Sequence, residues 1–134
     1  MVGAIVITHG SLAASLMEVA ESITGKIEKV KTVSVTGSDT TESIRSALSG
    51  SIKDVNSGSG VIIFTDMFGG TPTNVALSLL EDGKVDVITG VNLPMLIKFI
   101  GNRTEKSLSE VALLLKDYGQ KSIVLAGDML KDKK

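Results

Sequence analysis

His9 is the only histidine of the chain, and it closes a run of small and β-branched residues, AIVIT, with Gly10 and Ser11 behind it. Asp66 closes a second apolar run, VIIFT, and is followed by Met67, Phe68, Gly69, Gly70, Thr71 and Pro72. An imidazole beside a carboxylate divides the work in a definite way. The carboxylate accepts a hydrogen bond from one ring N–H and fixes the tautomer, so the other nitrogen presents its lone pair as a nucleophile. Neutral imidazole is also a competent leaving group, which suits a phosphoryl group that must arrive and leave again. A phosphorylated side chain carries about two negative charges and requires donors. The backbone amides of Gly69, Gly70 and Thr71, the Thr71 hydroxyl and the dipole of the helix they open are the candidates. Gly10 and Ser11 offer similar amides at the start of the first helix. Lysine and arginine are absent from these loops, so the charge is met by dipoles and not by cations.

Each of these residues also has a plainer reading. A lone histidine often packs or faces solvent, an aspartate before glycines forms turns, and Gly-Gly-Thr-Pro is an ordinary entry into a helix. The chemistry depends on the fold bringing the two strand ends together. Other catalytic schemes find no support: there is no GxxxxGK[ST] loop, no GxGxxG fingerprint and no GxSxG elbow. The absence of cysteine excludes disulfides, thiolate metal ligands and cysteine nucleophiles, and neither a metal nor a cofactor is expected. Met17, Met67, Met95 and Met129 read as packing filler.

The elements that must position His9 and Asp66 follow from hydrophobic periodicity. Residues 4–8 read as a first strand, and the helix behind Ser11 carries Leu12, Leu16, Val19, Ala20 and Ile23 as its apolar face, with Gly25 as the stop. Residues 30–35 form a shorter strand suited to the sheet edge. A helix with Asp39 and Glu42 at capping-box spacing follows, with Ile44, Ala47, Leu48, Ile52 and Val55 as its buried stripe. A third strand over 61–65 leads into a helix over 72–82 capped by Thr71 and stopped by Gly83, and a fourth strand spans 85–89. Short helices over 95–100 and 107–118 come next, the latter with Ser107 and Glu110 as a capping box. The reading ends with a short strand over 122–125 and a charged tail over about 128–134. Strands alternating with amphipathic helices predict an α/β fold with a mainly parallel, doubly wound sheet. The flavodoxin-like order 2-1-3-4 makes strands one and three neighbours at the switch point, where His9 and Asp66 would share one crevice.

Composition narrows the function further. The 134 residues fit a single domain. A net charge of −1, with Phe64, Phe68, Phe99 and Tyr118 as the whole aromatic inventory, argues against nucleic acid. The apolar run at the amino terminus is too short for a signal peptide or a membrane span, which predicts a cytoplasmic protein without membrane insertion.

Three motifs in order, Thr8-His9-Gly10, then Phe64-Thr65-Asp66 with Gly69-Gly70-Thr71-Pro72, then residues 90–96 (GVNLPML), resemble the enzyme IIA domain of the mannose-type (mannose/fructose/sorbose) phosphoenolpyruvate:sugar phosphotransferase system. The resemblance spans almost the whole chain. It implies that His9 is the phosphorylated residue, Asp66 its hydrogen-bonding partner, and Thr71 the counterpart of a family serine that contacts the phosphoryl group. It further implies that HPr is the donor, that a separate IIB protein is the acceptor, and that the last strand takes part in a homodimer contact. Met67 stands where threonine is common and Phe68 where tryptophan is common. A phosphoryl relay for sugar uptake and a regulatory protein switched by phosphorylation of His9 both agree with the resemblance, and an anion-binding domain without phosphorylation is a third reading.

Overall fold

The computed structural model describes residues 1–131. Its elements run β1 (Gly3–His9), α1 (Leu12–Thr24), β2 (Val30–Val35), α2 (Thr41–Val55), β3 (Val61–Thr65), α3 (Thr71–Leu77), β4 (Val85–Ile88), α4 (Leu93–Asn102), α5 (Leu108–Lys121) and α6 (Ala126–Lys131). The four strands form one parallel sheet in the order β2-β1-β3-β4, as the alternation of strands and helices predicts.

Both faces of the sheet are covered because both faces of its strands are apolar. Ala4, Val6, Ile62 and Phe64 point to one side, where they pack with Met17 of α1, Met95, Leu96 and Phe99 of α4, and Leu108, Val111 and Leu115 of α5. Ile5, Ile7, Val61 and Ile63 point to the other, against Ile44 and Leu48 of α2 and Val75 and Ala76 of α3. Phe64 and Phe99 meet edge to face, 5.5 Å between ring centres. Ile7 of β1 lies opposite Thr65 of β3, so the next residues of the two strands emerge side by side at the carboxyl edge. No helix among the described residues is long and apolar enough to cross a membrane.

Several local expectations are corrected. Residues 122–125 form no strand: Ser122 closes α5 by donating its N–H to Tyr118 O, and Ile123, Val124 and Leu125 are exposed. An apolar triplet becomes a strand only where a ladder partner waits, and the described residues give it none. Within the expected charged tail, residues up to 131 belong to α6, and 132–134 lie outside the described residues. The third helix ends at Leu77, short of Asp82, because Ser78 Oγ competes for the Val75 carbonyl and the chain tightens into i to i−3 turns. Its N-cap position is Gly70, with Thr71 already helical. On α1 the buried residues are Ala13, Met17 and Ala20, while Leu12, Val19 and Ile23 are exposed. Small side chains let that helix lie close on the sheet. The α2 cap is Thr40, paired reciprocally with Ser43, and Ala47 is exposed.

Candidate functional site

His9 is the last residue of β1 and Asp66 the first beyond β3. One oxygen of the carboxylate, Oδ2, accepts two hydrogen bonds from the same histidine: from its backbone N–H at 3.0 Å and from ring Nδ1 at 2.8 Å. A carboxylate only accepts, so the proton sits on Nδ1 and the neutral ring presents Nε2 as the free lone pair. The His9 side chain is 51 % exposed and that of Asp66 13 %. Burial pushes the Asp66 carboxyl up, and the ring bond, the backbone bond and the charge that His9 carries when protonated together outweigh it, holding the group below its ordinary value of 3.8. Asp66 is therefore an ionised acceptor at neutral pH. It can orient the ring and balance a positive charge developing on it.

Gly70 lies against the outward edge of the imidazole. A Cβ at that position would stand 3.3 Å from His9 Cε1 and 3.5 Å from Nε2, and its φ of +83° is one that side chains rarely adopt. Here the glycine leaves space beside the reactive nitrogen as well as turning the chain. Gly69 shares the left-handed conformation, with φ +96°. The N–H groups of Gly69 and Gly70 have no acceptor among the described residues, and they precede Thr71 and Pro72 at the start of α3. Gly10 behaves differently from the expectation that its amide is free for an anion. Its N–H donates to Val35 O at 2.9 Å, because β2 extends far enough at the sheet edge to take it. Ser11 occupies the N-cap position of α1 without a side-chain cap bond.

Two hydroxyls that the sequence reading passed over hold the β1 end in place. Thr8, wholly buried, accepts the N–H of Ala13 at 2.8 Å and so caps α1 in place of Ser11. Ser34 donates to Gly10 O at 2.5 Å. A threonine ahead of the strand end, four to five residues before an apolar helix face, was the available signal for the first. The second depends on strand pairing and left no mark in the sequence.

Comparison with known proteins bears on what such a site belongs to. The family model described as EIIA-man, PTS system fructose IIA component, matches residues 3–115. The chain belongs to that family. Among curated EIIA-man relatives, the fructose-specific EIIA component of Bacillus subtilis (strain 168) is 28 % identical over 98 % of this chain and 90 % of its own length. The mannose-specific EIIAB component of Escherichia coli (strain K12) is 30 % identical over 87 % of this chain, which spans 36 % of that longer protein. A crystal structure of EIIA from Streptococcus agalactiae superposes with a TM-score of 0.86 at 26 % identity, covering 96 % of this chain and 99 % of that one.

In this EIIA-man chain the histidine opens onto a cleft of about 290 Å³ whose lining includes His9, Val35, Thr36, Gly37, Asp39 and Thr71, with no lysine or arginine. A larger groove of about 740 Å³ runs along α1 and β2 and includes neither His9 nor Asp66. Met67 and Phe68 follow Asp66 with their side chains outward, Phe68 79 % exposed. The geometry combines an oriented ring nitrogen, an ionised partner behind it, free amides beside it and an open approach from solvent.

Proposed function

We propose that the chain acts over residues 1–134 as a single enzyme IIA domain of the sugar phosphotransferase system, a cytoplasmic phosphohistidine carrier that accepts a phosphoryl group from HPr on His9 and passes it to a IIB protein for sugar uptake. The observation that supports this best is the pair of hydrogen bonds from His9 to Asp66 Oδ2, which leaves Nε2 as the free nitrogen. In the forward step the Nε2 lone pair forms a bond to phosphorus while the donor's bond to phosphorus breaks, and the donor atom leaves with that electron pair. The Nδ1 proton stays between ring and carboxylate, so Asp66 offsets the positive charge the ring gains. Handing the group on reverses these movements. Gly69, Gly70 and Thr71 supply amides and a hydroxyl to the phosphoryl oxygens at the start of α3.

Incubation with phosphoenolpyruvate, enzyme I and HPr, followed by intact mass measurement, tests the reading. One added phosphoryl group is expected, labile in acid, stable in base and absent from His9→Ala. Phosphate that survives acid, or that persists in the variant, would overturn it. Adding a cognate IIB protein should then drain the group. Retention in its presence would favour a regulatory role in which phosphorylation of His9 switches partner binding. The reading includes a homodimer, supported by the apolar Ile123, Val124 and Leu125 left uncovered after α5. Sedimentation velocity should give a two-chain species, and a monomer at micromolar concentration would remove that part.

A further inference from the structure

The Asp66 side chain is held by His9, and the carbonyl of Thr65 before it accepts the N–H of Val91 at 3.0 Å, but the loop must also be joined to α3. Between the end of β3 and the start of α3, Gly69 and Gly70 both take positive φ, a conformation that glycine reaches without steric cost. The tie across this loop comes from a residue with no assigned role. Thr73, in the first turn of α3 and wholly buried, places Oγ1 2.5 Å from Met67 O and 2.8 Å from Thr65 Oγ1. Thr65 is also wholly buried. A hydroxyl carries one proton and a carbonyl only accepts. The Thr73 proton therefore serves Met67, and the Thr65 hydroxyl donates to Thr73. The resulting chain, Thr65 to Thr73 to Met67, joins the residue before Asp66 and the residue after it to one point on α3.

We propose that Thr73, with Thr65, is a positioning residue for phosphoryl transfer: a buried hydroxyl clamp that fixes the Asp66 carboxylate and the amides opening α3 relative to each other. The clamp rests on the phosphohistidine reading of the site. It acts through two paths that the geometry makes rigid together. Holding both neighbours of Asp66 keeps Oδ2 in line with the two donors of His9. Holding Met67 O to α3 keeps Gly70 at its close approach to the ring edge that carries Nε2. Packing alone would not require hydroxyls, since a valine fills the same volume without a polar group to satisfy. What a valine cannot do is hold the Met67 carbonyl.

Comparison of Thr73→Val with Thr73→Ser tests the clamp, because the first keeps the shape and the second keeps the hydroxyl. Phosphorylation rate is measured at saturating and at half-saturating phosphorylated HPr, and the His9 ring tautomer by nitrogen NMR on the unphosphorylated protein. For Thr73→Val the saturated rate should fall roughly 10- to 100-fold, the scale of a misplaced reacting group. The KM for the donor should stay unchanged, and the Nδ1–H signal should weaken. Thr73→Ser should return to within about threefold of the original rate, losing only a methyl from the site. A folded Thr73→Val with the original rate and tautomer would overturn the proposal, as would a Thr73→Ser variant as slow as Thr73→Val. If Thr73→Val does not fold, Thr73→Ala takes its place, since it too removes the hydroxyl that holds the Met67 carbonyl. A lowered rate at constant KM then supports the clamp, and an unchanged rate overturns it. His9→Ala serves as control in the same assay. If the unsubstituted protein takes no phosphate, the carrier reading has failed, and the tautomer measurement still decides the clamp.

Discussion

At His9 and Asp66 two residues share one oxygen, and each sets the state of the other. Asp66 is held below 3.8 against the upward push of its own burial, with the ring bond as the largest of the opposing effects. A carboxyl whose folded value is depressed contributes stability that is fully present above its unfolded value and is lost as pH falls through the folded one. Removing the ring leaves burial and the backbone bond, so in His9→Ala the Asp66 carboxyl should titrate at higher pH than in the unsubstituted protein. Carbon NMR of the carboxylate checks this, and an unmoved titration would mean that the ring does not hold the charge. The melting temperature of the unsubstituted protein should accordingly decline below about pH 4, where the unfolded chain binds the extra proton. Both residues were readable in the sequence because each follows an apolar run and precedes a glycine-bearing helix start, Gly10 next to His9 and Gly69-Gly70 three residues beyond Asp66. The fate of the Gly10 amide was not, because its acceptor, Val35 O, lies on a strand whose length past the loop only pairing defines. Thr65 and Thr73 were hidden for a similar reason, as a hydroxyl in an apolar run has no pattern of its own.

Among the elements, helix α1 separates what periodicity tells from what packing decides. Its sequence LAASLMEVAESIT carries two apolar stripes, one with larger residues at Leu12, Leu16, Val19 and Ile23 and one with Ala13, Met17 and Ala20. The expected face was the first stripe with Ala20, and the fold keeps part of it: Ala20 is buried and Leu16 packs against the core, while Ala13 and Met17 replace Leu12, Val19 and Ile23 on the inner side. The core on this face contains Met17, and Ile23 is 58 % exposed. Met17→Ala should therefore lower stability by about 2–5 kcal/mol through the cavity it leaves. Ile23→Ser should stay within about 0.5 kcal/mol, as surface changes do. Urea unfolding of the two variants measures both, and a reversed order would put the wrong stripe in the core. The same contrast explains α2, where Asp39 had the acid expected of a cap and Thr40 took the position. Asp39 instead accepts from Thr36 N–H and the Ser43 hydroxyl, one residue ahead of the cap. For α5 the Ser107 and Glu110 box formed as its spacing predicts, each side chain accepting the other residue's backbone N–H.

Across the whole molecule, the fold divides into an end that reacts and an end that binds the chain together. The order β2-β1-β3-β4 was readable because buried strands alternated with helices and right-handed crossovers leave few arrangements. The fastening at the opposite end came from a single arginine whose role no local pattern shows. Arg103, 4 % exposed, donates through Nε to Val2 O at 3.0 Å, and through its terminal nitrogens to Glu28 O at 2.7 Å and Lys29 O at 3.1 Å. Its guanidinium lies 4.8 Å from the centre of the Phe99 ring. Three carbonyls from the start of β1 and the loop before β2 thus meet at the end of α4, and one belongs to Lys29, whose φ of +56° is strained for a residue with a side chain. Burial pulls the guanidinium pKa down while Glu28 raises it, and the group remains charged across the working range. In Arg103→Met the stem still packs on Phe99, but the carbonyls of Val2 and Glu28 lose their donor, while Lys29 O keeps the N–H of Ala4 at 3.1 Å. Of these Val2 is the buried residue, and Glu28 is exposed to water that can replace the lost donor. One unsatisfied buried group costs about 1–3 kcal/mol, partly offset because a buried charge is no longer desolvated, so a net loss of about 1–2 kcal/mol is expected in urea unfolding. Six residue steps along β1 carry the chain about 20 Å from this end to His9. The rate of phosphorylation per folded molecule should therefore be unchanged in Arg103→Met at a temperature where the variant is native. A slowed rate in the folded variant would show that the sheet carries strain between its two ends, and that the site depends on more than the residues that touch it.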